Sequence, residues 1–275
     1  MLLTSRKTPW LRVVKADPFA TMRLFCFAYA GAGANAYRSW ADAPFEHVET
    51  AAVQLPGRET RMREQPFTAA GPLVAALLRE LRPYLDDKPF AFFGHSMGAL
   101  LSFELTRELR RTGAPMPEAL FLSGRRAPDS KSDPRDTVMH RMTDEELIAE
   151  LRDLNGTEAE VMEHAELLRL LLPIFRADFS VCENWHYRAD APLDVPIHAL
   201  GGLLDPSVSA THLEGWERQT TAALTVNLFP GDHFYVNGSR EQLLDTVSTH
   251  LSQYVLKPAP KREDADDALL SSVAI

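Results

Sequence analysis

The sequence predicts an α/β protein: a mostly parallel central sheet with helices on both faces. Two observations carry this. Short runs, most of them apolar on both faces, recur at residues 22–27, 50–55, 90–94, 118–123, 195–200 and 223–229, as strands covered on both faces must be. Between them, residues 72–85, 97–111 and 240–255 place Leu, Val or Phe at three- and four-residue spacing, the period of a helix with one buried side. Strand and helix signals in alternation imply crossover connections and hence a parallel sheet. No repeat at a period of 20 to 50 residues is visible, which argues against a solenoid.

One stretch departs from the alternation. Residues 123–195 carry helical patterns but no convincing strand. Thr143 with Glu146 reads as a capping box opening a helix over 144–154, and Asn155-Gly156 reads as its stop. Helical signal continues over 158–172 and 174–186, on either side of Pro173. The expectation is one domain over 1–256 with a helical insertion over 129–190, either extra core helices or a lid at the carboxyl edge of the sheet, where ligands of such sheets bind. Residues 257–275 mix Pro, Lys and acids without an apolar period and read as a disordered tail.

Composition narrows the function classes. The chain has 275 residues, 45% hydrophobic, with 38 acidic and 29 basic side chains for a net charge of −9. A chain of this size buries about three quarters of its unfolded surface and needs no metal or disulfide for stability. The acidic balance argues against a nucleic-acid binder, which requires clustered Lys and Arg. Cys26 and Cys182 form no C-x-x-C pair, so a reducing, cytoplasmic setting is expected. Arg12, Lys15 and Asp17 interrupt any leader-like apolar run, and Arg169 and Pro173 break the most apolar helical segment, far short of the ~20 residues of a membrane span. There is no H-E-x-x-H and the nine histidines are scattered, so no metal or organic cofactor is expected.

Gly94-His95-Ser96-Met97-Gly98 is a G-x-S-x-G string lying between a strand signal (KPFAFFG) and a helix signal (MGALLSFELTREL). That context turns a weak motif into a sharp strand-to-helix turn that lifts the Ser96 hydroxyl out of the sheet. A serine needs a general base, and the base needs an anion to hold its tautomer; on sheets of this kind the chain order is Ser, acid, His. Three histidines, His140, His164 and His186, fall in the insertion and His198 in a strand, while His47, His212 and His250 read as surface or packing positions; His95 should point away from Ser96. His233 remains, in the loop after the last strand. Asp205 follows the preceding strand and is the expected acid; its other reading is a cap for a helix opened by Pro206. Asp232 competes with it, and Asp178 and Asp194 are weaker candidates.

For a developing oxyanion two backbone N–H groups are needed. Met97 should supply one, and Ala30, within the small-residue loop Ala28-Tyr29-Ala30-Gly31-Ala32-Gly33-Ala34, the other. A phosphate-binding loop is the rival reading there, but G-x-G-x-x-G and G-K-[ST] are both missing.

These residues, with FAYAGAGA from Phe27, QLPGRETR from Gln54, FFGHSMGAL from Phe92, LSGRRAP from Leu122, PIFRADF from Pro173, GGLLD ending at Asp205 and GDHFYV from Gly231, resemble the discrete type II thioesterases of polyketide and nonribosomal peptide synthesis, members of the α/β-hydrolase superfamily. The resemblance implies a Ser96, Asp205 and His233 triad, an oxyanion hole at Met97 and Ala30, and a helical lid. It also implies acyl or peptidyl carrier proteins as partners, whose phosphopantetheine arm brings the thioester. Ala28 and Ala32 depart from the family's more usual proline and second glycine. An acyl-CoA thioesterase or carboxylesterase of the same fold is the alternative enzyme, and a non-catalytic carrier-binding module the alternative of another class. Because typical carriers are acidic, a basic docking patch is expected, with Arg58, Arg61, Arg63, Arg125 and Arg126 as candidates.

Overall fold

The computed structural model describes residues 8–130, 137–154 and 164–255. Seven strands form one sheet in the order β1-β3-β2-β4-β5-β6-β7: β1 (Leu11–Lys15), β2 (Met22–Phe27), β3 (Val48–Val53), β4 (Phe90–His95), β5 (Ala119–Ser123), β6 (Ile197–Gly202) and β7 (Leu224–Phe229). Only the β1–β3 pair is antiparallel. The helices are α1 (Ala70–Leu81), α2 (Met97–Arg111), α3 (Asp144–Leu154), α4 (Ala165–Glu183), α5 (Ala210–Glu214), α6 (Tyr235–Gly238) and α7 (Arg240–Leu251).

The central strands are buried on both faces. Phe25, Phe27, Phe90 and Phe92 enter one core layer with α1 and α2, while Leu24, Cys26, Ala91 and Phe93 enter the other with α7. Each fully buried large apolar side chain contributes about 1.5–3 kcal/mol. Edge-to-face contacts such as Phe27–Phe92, with ring centroids 5.3 Å apart, add specificity to that burial.

Four expectations change. β6 begins and ends two residues later than expected, at Ile197–Gly202, since Pro196 has no N–H to give to a ladder. β1 was not expected, because its edge position leaves it only half-buried and Arg12 and Lys15 obscure its pattern. β3 begins and ends two residues earlier than expected; the Gln54 side chain instead accepts from the Ala34 N–H and donates to the Arg58 carbonyl. α4 runs unbroken through Pro173. That proline is exposed, so the helix carbonyl it leaves unpaired can be met by water.

The capping box at Thr143 is present: its hydroxyl accepts from the Glu146 N–H, and the Glu146 carboxylate accepts from the Thr143 N–H. Asn155-Gly156 and the tail at 257–275 lie outside the described residues. Met139, Leu147, Leu151, Leu172 and Phe175 form a separate small core between α3 and α4. Glu183, at the end of α4, accepts from the N–H groups of Met139 and His140 and ties the segment before α3 to this unit.

Register places the site. Phe27 pairs with Gly94, His95 with Ser123, Ser123 with Leu200 and Gly202 with Phe229. The loops after β2, β4, β5, β6 and β7 therefore leave the sheet at one edge.

Candidate active site

Ser96 sits between β4 and α2 with φ 53° and ψ −108°, a strained conformation for a residue with a side chain. The turn is tight enough that a Cβ on Gly98 would lie 2.0 Å from the Phe27 carbonyl oxygen. Gly98→Ala is therefore expected to push α2 off β2 and cost at least about 3 kcal/mol, as severe overpacking does. A denaturation midpoint within experimental error of the parent's would contradict this. α2 points its amino terminus at the site, where its dipole favours negative charge, and the Met97 N–H, in the first turn, has no acceptor four residues back within the helix.

The sequence-derived residues converge. Asp205 Oδ2 lies 2.7 Å from His233 Nδ1. Asp205 Oδ1 accepts from the Ser207 N–H and hydroxyl and from the Val208 N–H. Asp205 thus caps the local turn with one oxygen and holds the imidazole with the other. The expected helix at Pro206 is corrected by this turn, since α5 begins at Ala210 with Ser209 as its cap. Burial raises the Asp205 pKa, but the hydrogen bonds from His233 and Ser207 outweigh it and hold the carboxyl below its ordinary value. Asp232 faces the Phe234 N–H instead.

Ser96 and His233 line one cavity of about 830 Å³. Among the described residues no hydrogen bond joins the Ser96 hydroxyl to the His233 ring, whose Nδ1 is taken by Asp205. Ala30 lines the same cavity. Leu151, Leu154, Leu171, Phe175 and Phe179, from α3 and α4, give it an apolar wall.

Sequence reasoning missed the buried support. His95 does not serve Ser96; its ring packs 5.0 Å from that of His233, and its Nδ1 lies 2.8 Å from Ser123 Oγ, which in turn pairs with the Tyr235 hydroxyl. Burial, reinforced by His233, pushes the His95 pKa well below the ordinary histidine value, so the ring is neutral. Gly124, at φ +59°, leaves room for both rings, since a Cβ there would lie 2.6 Å from His95. The LSGRRAP and GDHFYV strings held the signal for Ser123, Gly124 and Tyr235.

The arginine patch needs correction. Arg58 and Arg61 are only 3% and 6% exposed: Arg58 pairs with Asp178, and Arg61 bonds Glu64 and lies over the Trp10 ring. Both were expected on a docking face and instead hold the interior. Arg63 is exposed, and Arg125 and Arg126 line the cavity.

The thioesterase domain model matches residues 22–251. The chain belongs to the thioesterase family. The gramicidin S biosynthesis protein GrsT of Aneurinibacillus migulanus is 41% identical over 258 residues, covering 94% of this chain and 99% of its own. Among solved structures, the type II thioesterase BorB from the borrelidin cluster matches with a TM-score of 0.81 and 38% identity over 90% of this chain and 99% of its own. The type II thioesterase YbtT, from the yersiniabactin pathway, matches with a TM-score of 0.79 and 30% identity over 90% and 100%. The thioesterase described here is a type II enzyme of the α/β-hydrolase fold and a thioester hydrolase. Among its described residues no helix is long and apolar enough to cross a membrane, and no cluster of three or more His, Cys, Asp or Glu could hold a metal ion.

Proposed function

We propose that this thioesterase removes acyl groups, wrongly or prematurely loaded, from the phosphopantetheine arm of acyl or peptidyl carrier proteins, with Ser96, His233 and Asp205 as its triad. The observation that carries the triad is the Asp205–His233 hydrogen bond beside a cavity that also exposes Ser96. With Nδ1 held by Asp205, Nε2 of His233 is the atom left to exchange protons. Its hydrogen bond to Ser96 forms as the substrate engages the site, since catalytic hydrogen bonds often tighten only in the reacting complex.

His233 takes the hydroxyl proton as Ser96 attacks the thioester carbonyl, and the Met97 and Ala30 N–H groups receive the oxyanion. The tetrahedral intermediate collapses, the C–S bond breaks, and the pantetheine thiol leaves with the proton from His233. Water, deprotonated by His233, then attacks the acyl-serine; the acyl C–O bond breaks as His233 returns that proton to Ser96 Oγ, releasing the acid. Nothing in these steps requires a cofactor beyond the arm carried by the substrate. The acyl chain rests against the apolar wall of α3 and α4, which act as the lid.

Support for the carrier as partner comes from the relatives: GrsT belongs to gramicidin S biosynthesis, BorB to the borrelidin biosynthetic cluster and YbtT to the yersiniabactin NRPS/PKS pathway. The test compares one acyl group presented on a carrier protein, on coenzyme A and as a simple ester. The expected kcat/KM is highest for the carrier by at least about tenfold, since added contacts contribute binding energy. A preference for the ester would overturn the proposal.

A further inference from the structure

Asp178 lies on α4 and is 1% exposed, and its buried partner Arg58 lies in the loop after β3. Arg58 Nη1 and Nη2 donate to the two Asp178 oxygens at 2.6 and 2.8 Å, and Arg58 Nη1 also reaches the Ala32 carbonyl at 3.0 Å. Asp178 Oδ2 in turn accepts from the Gly31 N–H at 2.7 Å. The Ala32 N–H closes a turn onto the Tyr29 carbonyl at 3.1 Å. One helical turn before Asp178, Phe175 packs so closely on Gly31 that a Cβ there would lie 2.0 Å from the ring.

The loop after β2 is thus held on both sides of Ala30, by the remote Asp178 on one side and by its own turn on the other. The Gly31 bond fixes the peptide that follows Ala30, and the 29–32 turn fixes the one that precedes it. Among the described residues no acceptor engages the Ala30 N–H, which leaves it a donor available to the cavity that Ala30 lines. A lone carboxylate one residue away would oppose a developing oxyanion; the bidentate guanidinium cancels its charge while leaving its geometry.

We propose that Asp178, backed by Arg58, is a positioning residue that sets the oxyanion donor by holding the Gly31 peptide. This rests on the reading of Ala30 as that donor. Removing one oxyanion donor elsewhere costs about 10²- to 10³-fold in kcat, and misplacing one should approach the lower figure.

The test uses two variants, Asp178→Asn and the double replacement Asp178→Leu with Arg58→Met. The second exchanges the ion pair for apolar volume, which buried sites often tolerate. Each variant with the parent's circular dichroism spectrum is assayed on an acyl thioester of N-acetylcysteamine. The expected result is kcat lower by about 10²-fold, KM within about twofold, and a parallel loss of affinity for a trifluoromethyl ketone, whose serine adduct carries an oxyanion. Affinity for the carboxylic acid product should hold. A kcat within about threefold of the parent, or equal loss of ketone and product affinity, would overturn the assignment. Ser96→Ala in the same assay separates the failures: if it still turns over, the underlying site reading falls, whereas an inactive Ser96→Ala with an unaffected double variant removes only the role of Asp178.

Discussion

Ser96→Ala is expected to lower kcat by about 10⁴- to 10⁶-fold, because the acyl-serine route closes and only binding and the oxyanion donors remain. The fold should not suffer. Among the described residues the Ser96 hydroxyl has no hydrogen-bond partner and the residue is only partly buried, so its removal strands no buried partner there and should move stability by less than about 0.5 kcal/mol. The backbone strain at φ 53° stays with alanine. Ser96→Gly should be equally inactive yet more stable, since glycine accepts positive φ and the strain relieved is about 1–3 kcal/mol, partly offset by the added freedom of the unfolded chain. A net gain near 1 kcal/mol corresponds to a Tm higher by about 2–4 °C. Turnover and melting of the two variants, measured together, check both parts. More than a tenth of the parental kcat in either would rule out Ser96 as nucleophile.

The second large effect belongs to Asp205. In Asp205→Asn an amide N–H₂ can replace Oδ2 beside the His233 Nδ1, which favours the tautomer with its proton on Nε2, where it cannot accept from Ser96. The expected loss in kcat is about 10³- to 10⁴-fold, with KM nearly unchanged. The same variant should change acid stability. The Asp205 pKa is lower in the folded protein than its ordinary value, so the ionised carboxylate adds stability in full above that ordinary value, about 3.9. This contribution fades as pH falls through the depressed folded value. The stability gap between parent and variant should be constant near neutrality and narrow below about pH 4. Denaturant midpoints at pH 6 and pH 3.5 provide the measurement; an unchanged gap would mean that the carboxylate's charge is not what the local turn and His233 use.

Much of this was legible because it is written in short segments. Six of the seven strands declare themselves by runs such as MRLFCF and FAFF, for a strand covered on both faces is predominantly apolar on both. Ser96 is legible because its turn requires Gly98 at a fixed offset, and Asp205 and His233 because they follow strands in sequence order. β1 escaped notice because a half-buried edge strand needs no such run. Proline in α4 suggested a break, yet the decisive fact was which side of the helix it faces.

Charged residues mark the boundary most clearly. Arg58 and Asp178 stand 120 positions apart, and the sequence offers the first as a docking residue and the second as a weaker candidate acid, neither as half of a buried pair, since burying a single charge is costly. Only the packing of α4 over the loops after β2 and β3 brings the partner that makes burial tolerable. The sequence by itself determined the sheet, the serine turn and the order of the candidate triad, because local sterics and apolar period act over a few residues. The tertiary structure alone decided which arginines are internal, which oxygen of Asp205 meets His233 and what holds the Gly31 peptide, because those pairings depend on distances that no local pattern encodes.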